Sequence, residues 1–170
     1  MANSDSQPVR FPASLDEDER VTAIGLYHSA HSYAMSAAVL GEVDRSVIRS
    51  DDPVRFLYTH AVELYLKSFL RMNGLPTQEL RSRALGHKIS ALRTKAQALG
   101  LDLSAEEEKQ LDLLDDGMRD RYPEIGFRTV LRIDILHSLC EKFHGEFGLP
   151  IYENEGLNRP PVRFDLIGNS

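Results

Sequence analysis

The stretch DPVRFLYTHAVELYLKSFLRMNG, Asp52 to Gly74, constrains the fold more than any other part of the chain. Val54, Leu57, Ala61 and Leu64 recur at helical spacing on one face. Tyr58, Val62, Tyr65, Phe69 and Met72 make a second face, and Phe56, Leu66 and Leu70 fill the angles between. A helix that is apolar nearly all round must be surrounded by other elements. It therefore reads as the central helix of a bundle. Asp51 or Asp52 caps its start, with Pro53 in the first turn, and Asn73-Gly74 ends it. Arg55, Glu63, Lys67 and Arg71 interrupt it, so it is not expected to span a membrane.

One polar stripe remains on this helix: His60, Glu63, Lys67 and Arg71, at helical steps. Glu63 and Lys67 stand in the favourable i, i+4 order for an ion pair. A largely buried helix keeps charge only where water, a partner or a ligand meets it. Lys67 and Arg71 could hold a phosphate, with Glu63 orienting Lys67. The plainer alternative is a bundle seam, with Glu63–Lys67 a surface pair of little worth.

The rest of the chain supplies the surrounding helices. Residues 1–13 read as a loose arm. Ser14, followed by Asp16, Glu17 and Asp18, caps a helix expected to run to about Leu40. Ile24, Tyr27, His31, Ala34 and Ala38 mark its inner face, and the alanines let a neighbour come close. Thr77 is expected to cap a short helix through Ala84. Gly86 then breaks the chain, and His87 opens a helix carrying Ile89, Leu92, Ala96 and Leu99 to Gly100. Ser104 and Glu107 form a capping box for a helix ending near Gly117. A last helix carries Ile133, Leu136, Leu139, Cys140, Phe143 and Phe147. After Gly148 the chain is Pro-rich and is expected to be extended. No strand pattern of useful length occurs. The expectation is an all-α, up-and-down bundle of four to five helices over 14–148, with an extended tail over 149–170. The tetrapeptide PVRF occurs three times, at Pro8–Phe11, Pro53–Phe56 and Pro161–Phe164. The flanks differ, so this is not an architectural repeat, but the outer two could pair and hold the termini together.

Charge and motifs narrow the function classes. The net charge of −6 argues against a general polyanion binder. The charge is uneven: Lys67 to Lys95 holds seven basic residues against one acid, and Asp102 to Asp120 eight acids against two bases. That asymmetry fits an anion site beside an acidic face, or two helices or subunits that attract each other. Cys140 is the sole cysteine, which excludes an internal disulfide and a cysteine-rich zinc site. The N-terminus has no apolar run behind a basic start, so a cytoplasmic protein is expected. No G-x-S-x-G and no glycine-rich phosphate loop is present, and no cofactor is expected. His28 with His31, and His137 with Glu141 and His144, share helix faces. Yet His137 and His144 stand roughly 10 Å apart along a helix, too far for one ion, and no metal is expected.

Three segments in order, HAVELYLKSFLRMNG (His60–Gly74), LGHKISAL (Leu85–Leu92) and RYP (Arg121–Pro123), resemble the HEPN superfamily, named for a nucleotide-binding domain of higher eukaryotes and prokaryotes. Ala61, Glu63, Leu64, Leu66, Lys67, Leu70 and Gly74 stand where that family's helix reads A-x-E-L-x-L-K-x-L-L and then G. His87, Ile89 and Leu92 match its H-D-L-x-x-L element, with Lys88 in place of the acid. Tyr27, Ser29, Ala30, Tyr33 and Ala37 fit its first helix. The resemblance spans roughly Leu26 to Pro123. It implies a helical bundle, usually a homodimer, that works with nucleotides or RNA, commonly in toxin–antitoxin or phage-defence settings.

Many such proteins are metal-independent ribonucleases that use R-x4-6-H. Arg81 and His87 meet that spacing. The chemistry is apt: a histidine takes the 2′-hydroxyl proton and an arginine stabilises the charged phosphorane. The GHKI context of His87 also matches the family's helix-start histidine, which has a packing or anion-binding role. Three functions therefore stand side by side. One is a dimeric nucleotide- or RNA-binding module that uses Glu63, Lys67, Arg71, Arg81, His87 and Arg121. The second is an endoribonuclease that uses Arg81 and His87. The third is a protein-interaction module, bound to a nucleotidyltransferase, a toxin or an antitoxin.

Overall fold

The computed structural model describes residues 20–44, 46–47, 50–115 and 129–165. Among them are six helices and no strand: α1 (Ala23–Gly41), α2 (Asp52–Met72), α3 (Thr77–Leu80), α4 (Ile89–Ala98), α5 (Ala105–Leu113) and α6 (Ile133–Asn154). The fold is an all-α bundle. No described helix is long and apolar enough to cross a membrane.

Helix α2 is the central element. Tyr58, Ala61, Val62, Tyr65, Leu66 and Leu70 are all buried on it, and α1, α4 and α6 pack around it. Helix α1 presents Ala30, Ala34, Ala37 and Ala38 to the core, each buried, so its backbone lies close to α2. Helix α6 brings Phe143, Phe147 and Ile151 against the same core. Asp51 is the N-cap of α2, and Asn73 with Gly74, at φ +85°, closes it.

Four local expectations are corrected. The first helix is not continuous from Ser14, which lies outside the described residues. Thr22 is extended, and its Oγ1 accepts from the Gly25 amide at 3.1 Å, so α1 starts afresh at Ala23. A Cβ on Gly25 would stand 3.0 Å from that hydroxyl, so the glycine makes room for the cap. Next, Thr77 is the first residue of α3 rather than its cap, and α3 ends at Leu80, short of Ala84. The following turn closes through Gly86, whose amide reaches the Ser82 carbonyl at 2.7 Å; a Cβ there would meet that oxygen at 2.9 Å. His87 then precedes α4 rather than opening it, with Lys88 as the cap residue.

The fourth correction concerns Gly148. Helix α6 passes through it and through Pro150 to Asn154, 22 residues in all. A proline inside a helix removes one backbone bond and crowds the preceding turn. Here Ile151 and Tyr152, both buried, hold the last turn in the core, and the Tyr152 hydroxyl meets His28 Nε2 at 2.8 Å. Gly156, at φ +67°, reverses the chain, and the Leu157 amide donates to the Tyr152 carbonyl. Only then does the chain become an extended strap. Its Val162 carbonyl meets His144 Nε2 at 2.7 Å, and Phe164 lies against His31, His137 and His144. The third PVRF copy is thus a docked strap and the second opens α2. The first lies outside the described residues.

Gly148 sits beneath this strap. A Cβ would lie 2.5 Å from the Tyr27 hydroxyl and 3.0 Å from Pro161. Gly148→Ala gains about 1 kcal/mol of helix propensity, whereas overpacking a buried, pinned neighbour costs about 1–3 kcal/mol. The expected result is net destabilisation, read as a lower melting temperature by circular dichroism. A raised temperature would mean that Tyr27 moves aside freely.

The charge asymmetry is partly a contact between neighbouring helices. Arg93 of α4 pairs with Asp112 at 2.9 Å and Glu108 at 3.4 Å, both on α5, and Gln97 meets Glu108 at 2.8 Å. Asp115 accepts from the Ser90 amide at 2.9 Å and from the Ser90 hydroxyl, capping α4 from outside. Lys95 pairs with Glu79 at 3.0 Å.

Candidate anion-binding cleft around Glu63

Glu63 stands on the polar stripe of α2, yet it is only 1% exposed. Burying a carboxylate is costly unless donors surround it. Three converge here. Lys67 Nζ lies 2.6 Å from Oε1, His87 Nδ1 lies 3.2 and 3.4 Å from the two oxygens, and His60 Nδ1 stands 3.9 Å from Oε2. Burial pushes the Glu63 pKa up, but His60, Lys67 and His87 outweigh it and hold the group down at about 2. The carboxylate is therefore ionised across the physiological range. The pair with Lys67 is no solvated surface pair, since the Lys67 side chain is 12% exposed.

Above this carboxylate opens a cleft of about 480 Å³. Lys67, Arg81, Ser82, Arg83, Gly86, His87 and Lys88 line it. The lining follows from local structure. Lys67 comes from α2, and the rest come from the turn between α3 and α4. Leu85 and Ile89 anchor that turn in the core, while Arg81, Arg83, His87 and Lys88 stay exposed. Five basic or protonatable side chains thus face one space, with a single buried carboxylate beneath. Such a cleft favours a phosphate or another oxyanion.

Three of the residues expected to act together do meet here: Lys67, Arg81 and His87 line the cleft, and Glu63 holds Lys67 and His87 from behind. Arg71 does not line the cleft. Its Nε donates to the Val21 carbonyl at 2.9 Å and its Nη1 to the Leu75 carbonyl at 3.3 Å, so it ties the start of α1 to the end of α2. Arg121 lies outside the described residues. Sequence reasoning does not single out Arg83 and Lys88, although both stand in the basic run between Lys67 and Lys95. His60 is legible as part of the stripe, three residues before Glu63.

Three of the remaining histidines, His28, His137 and His144, meet tyrosine hydroxyls, whereas His31 lies against the rings of His144 and Phe164. His144, 5% exposed, takes Tyr65 at Nδ1 (3.0 Å), and Tyr27 Oη lies 3.0 Å from its Nε2 and 3.1 Å from its carbonyl. Donation from Nε2 to the Val162 carbonyl leaves Nδ1 to accept from Tyr65. His137 Nδ1 meets the Tyr58 hydroxyl at 2.9 Å. Among the described residues no group of three or more His, Cys, Asp or Glu side chains is placed to hold a metal ion. Cys140 is fully buried, and burial pushes its thiol pKa far up, which makes it a poor nucleophile. Comparison with family models, curated proteins and solved structures finds no match for this chain.

Proposed function

We propose that the protein is a HEPN-like module that binds nucleotides or RNA by their phosphates. It would act as a cytoplasmic homodimer in a toxin–antitoxin or phage-defence setting, beside an antitoxin or nucleotidyltransferase partner. One observation carries the binding reading: Lys67, Arg81, Arg83, His87 and Lys88 line a single cleft in a chain whose net charge is −6. Basic residues so gathered against the overall charge are suited to an anionic ligand. The test is fluorescence anisotropy of a labelled single-stranded RNA at low and moderate salt. Arg81→Ala is expected to weaken binding several-fold. It should also flatten the log–log salt dependence by about 0.7, the share of one neutralised phosphate on a single strand. Wild-type protein that binds neither RNA nor a nucleotide at low salt would overturn the reading.

A second reading has its own support. His87 Nδ1 faces Glu63. Donation of that N–H to the carboxylate leaves Nε2 as the acceptor, the form a general base needs. Arg81 lines the same cleft and could stabilise a pentacovalent phosphate. The protein would then be a metal-independent endoribonuclease. The same RNA, incubated with excess chelator, separates the two readings. Cleavage by wild type but not by His87→Ala makes the pair catalytic, whereas intact RNA with both proteins leaves a binding module.

A further inference from the structure

The polar stripe of α2 does not end at the cleft. Seven residues before Lys67, His60 lies about 10 Å along the same helix. Its Nδ1 faces the carboxylate that also holds Lys67 and His87, so its ring stands one carboxylate away from the cleft wall. Around it is a cluster of rings. Phe56, one turn earlier, lies parallel to His60, with centroids 6.2 Å apart and planes 6° apart. Tyr33 of α1 meets it edge-on at 4.5 Å and remains 38% exposed. Neither Phe56 nor Tyr33 belongs to the buried core. An aromatic cluster beside a basic cleft is the combination that single-stranded nucleic acid requires. Phosphates take the charges and a base takes a ring face, whatever its sequence.

We infer that Tyr33, Phe56 and His60 form a base-stacking platform, so that the ligand is a single strand running from the basic cleft to these rings. This rests on the binding reading above and adds the class of ligand to it. Duplex RNA is disfavoured, because its bases are already stacked and paired. Phosphate alone would leave the exposed part of Tyr33 uncovered.

The probes are a short oligoadenylate and an abasic strand of the same length, each titrated at low salt. Wild type is expected to bind the oligoadenylate more tightly. Tyr33→Ala should weaken oligoadenylate binding about tenfold, in line with the removal of one base stack, and leave the abasic strand unchanged. Tyr33→Phe should restore tight binding, because the ring and not the hydroxyl does the stacking. The salt dependence should not change in either variant, since neither alters a side chain that meets phosphate. Circular dichroism confirms that the variants are folded. Equal affinity of wild type for both strands, with Tyr33→Ala indifferent, overturns the platform and leaves the phosphate cleft standing. An equal weakening for both strands in Tyr33→Ala also overturns it. Failure of wild type to bind either strand removes the binding reading itself, and the platform with it.

Discussion

Glu63→Ala is expected to lower stability by about 3 kcal/mol at neutral pH, and to remove an acid-sensitive part of the stability with it. The direction follows from linkage. The folded-state pKa of Glu63 is held at about 2, below the ordinary glutamate value of 4.5. A group whose pKa is depressed on folding contributes fully above the unfolded value and loses that contribution as pH falls through the folded one. The window is therefore pH 4.5 down to about 2, and the difference corresponds to about 3 kcal/mol. Glu63 is almost wholly buried, so solvent screening takes little from this figure. Removing the carboxylate also strands Lys67, whose side chain is mostly buried, without its partner. Glu63→Gln keeps the shape and an acceptor oxygen, so it should lose less at neutral pH and still lack the acid response. Urea titrations at pH 6 and pH 3 read both effects. Burial pushes the Glu107 pKa up, but hydrogen bonds from Lys142 and Ser104 outweigh it and lower the pKa as well, which adds acid sensitivity of the same sign, so the quantity to compare is wild type minus variant at each pH. A variant that loses stability in parallel with wild type between those pH values would show that Glu63 is not the responsible group.

His144→Ala is expected to cost about 4 kcal/mol. The ring is buried at the meeting of α1, α2, α6 and the strap, and it fills the space between Tyr27 and Tyr65. Its loss opens a cavity and leaves the Tyr65 hydroxyl and the Val162 carbonyl without their partner. Each of those effects is worth on the order of 1–3 kcal/mol. His144→Phe fills the space but does not restore the bonds, so it should fall between alanine and wild type. The pH response has the same sign as that of Glu63 but a different window. Burial lowers the pKa values of His28, His31 and His144. Arg159 adds to the effect at His28, while His144 and His28 add to it at His31. The unfolded chain therefore takes up protons first as pH falls below about 6.5, and stability declines from there towards the folded values. Urea titrations at pH 7.5 and pH 5.5 should show that decline in wild type and a shallower one in His144→Ala. Equal slopes would assign the decline to His28 and His31.

Much of the bundle is legible because its signals are local. The all-round apolar character of α2, its Asn73-Gly74 stop and the Ser104–Glu107 box each depend on a few neighbouring residues. The Glu63–Lys67 pair is legible for the same reason, as an i, i+4 spacing. What escapes depends on contacts distant in sequence. Pro150 reads as a helix stop until Ile151 and Tyr152 are seen to be buried against other helices. Asp115 reads as part of an acidic run, not as the cap of α4. Arg71 looks like an anion ligand because nothing in its neighbourhood announces the Val21 carbonyl, 50 residues earlier. His87 can be placed near a helix start, but its bond to Glu63 joins residues 24 positions apart.

The alanine face of α1 has a mechanical consequence. Ala30, Ala34, Ala37 and Ala38 bring the backbone of α1 close to α2 and leave little side chain to repack along that face, so the close-packed pair is expected to move as a unit. Glu63 and Lys67 are set in that pair. The opposite wall, Arg81 to Lys88, is a turn anchored by Leu85 and Ile89 and tied to Glu63 by His87. Any adjustment to an arriving ligand is therefore expected in the turn rather than in the helix pair behind it.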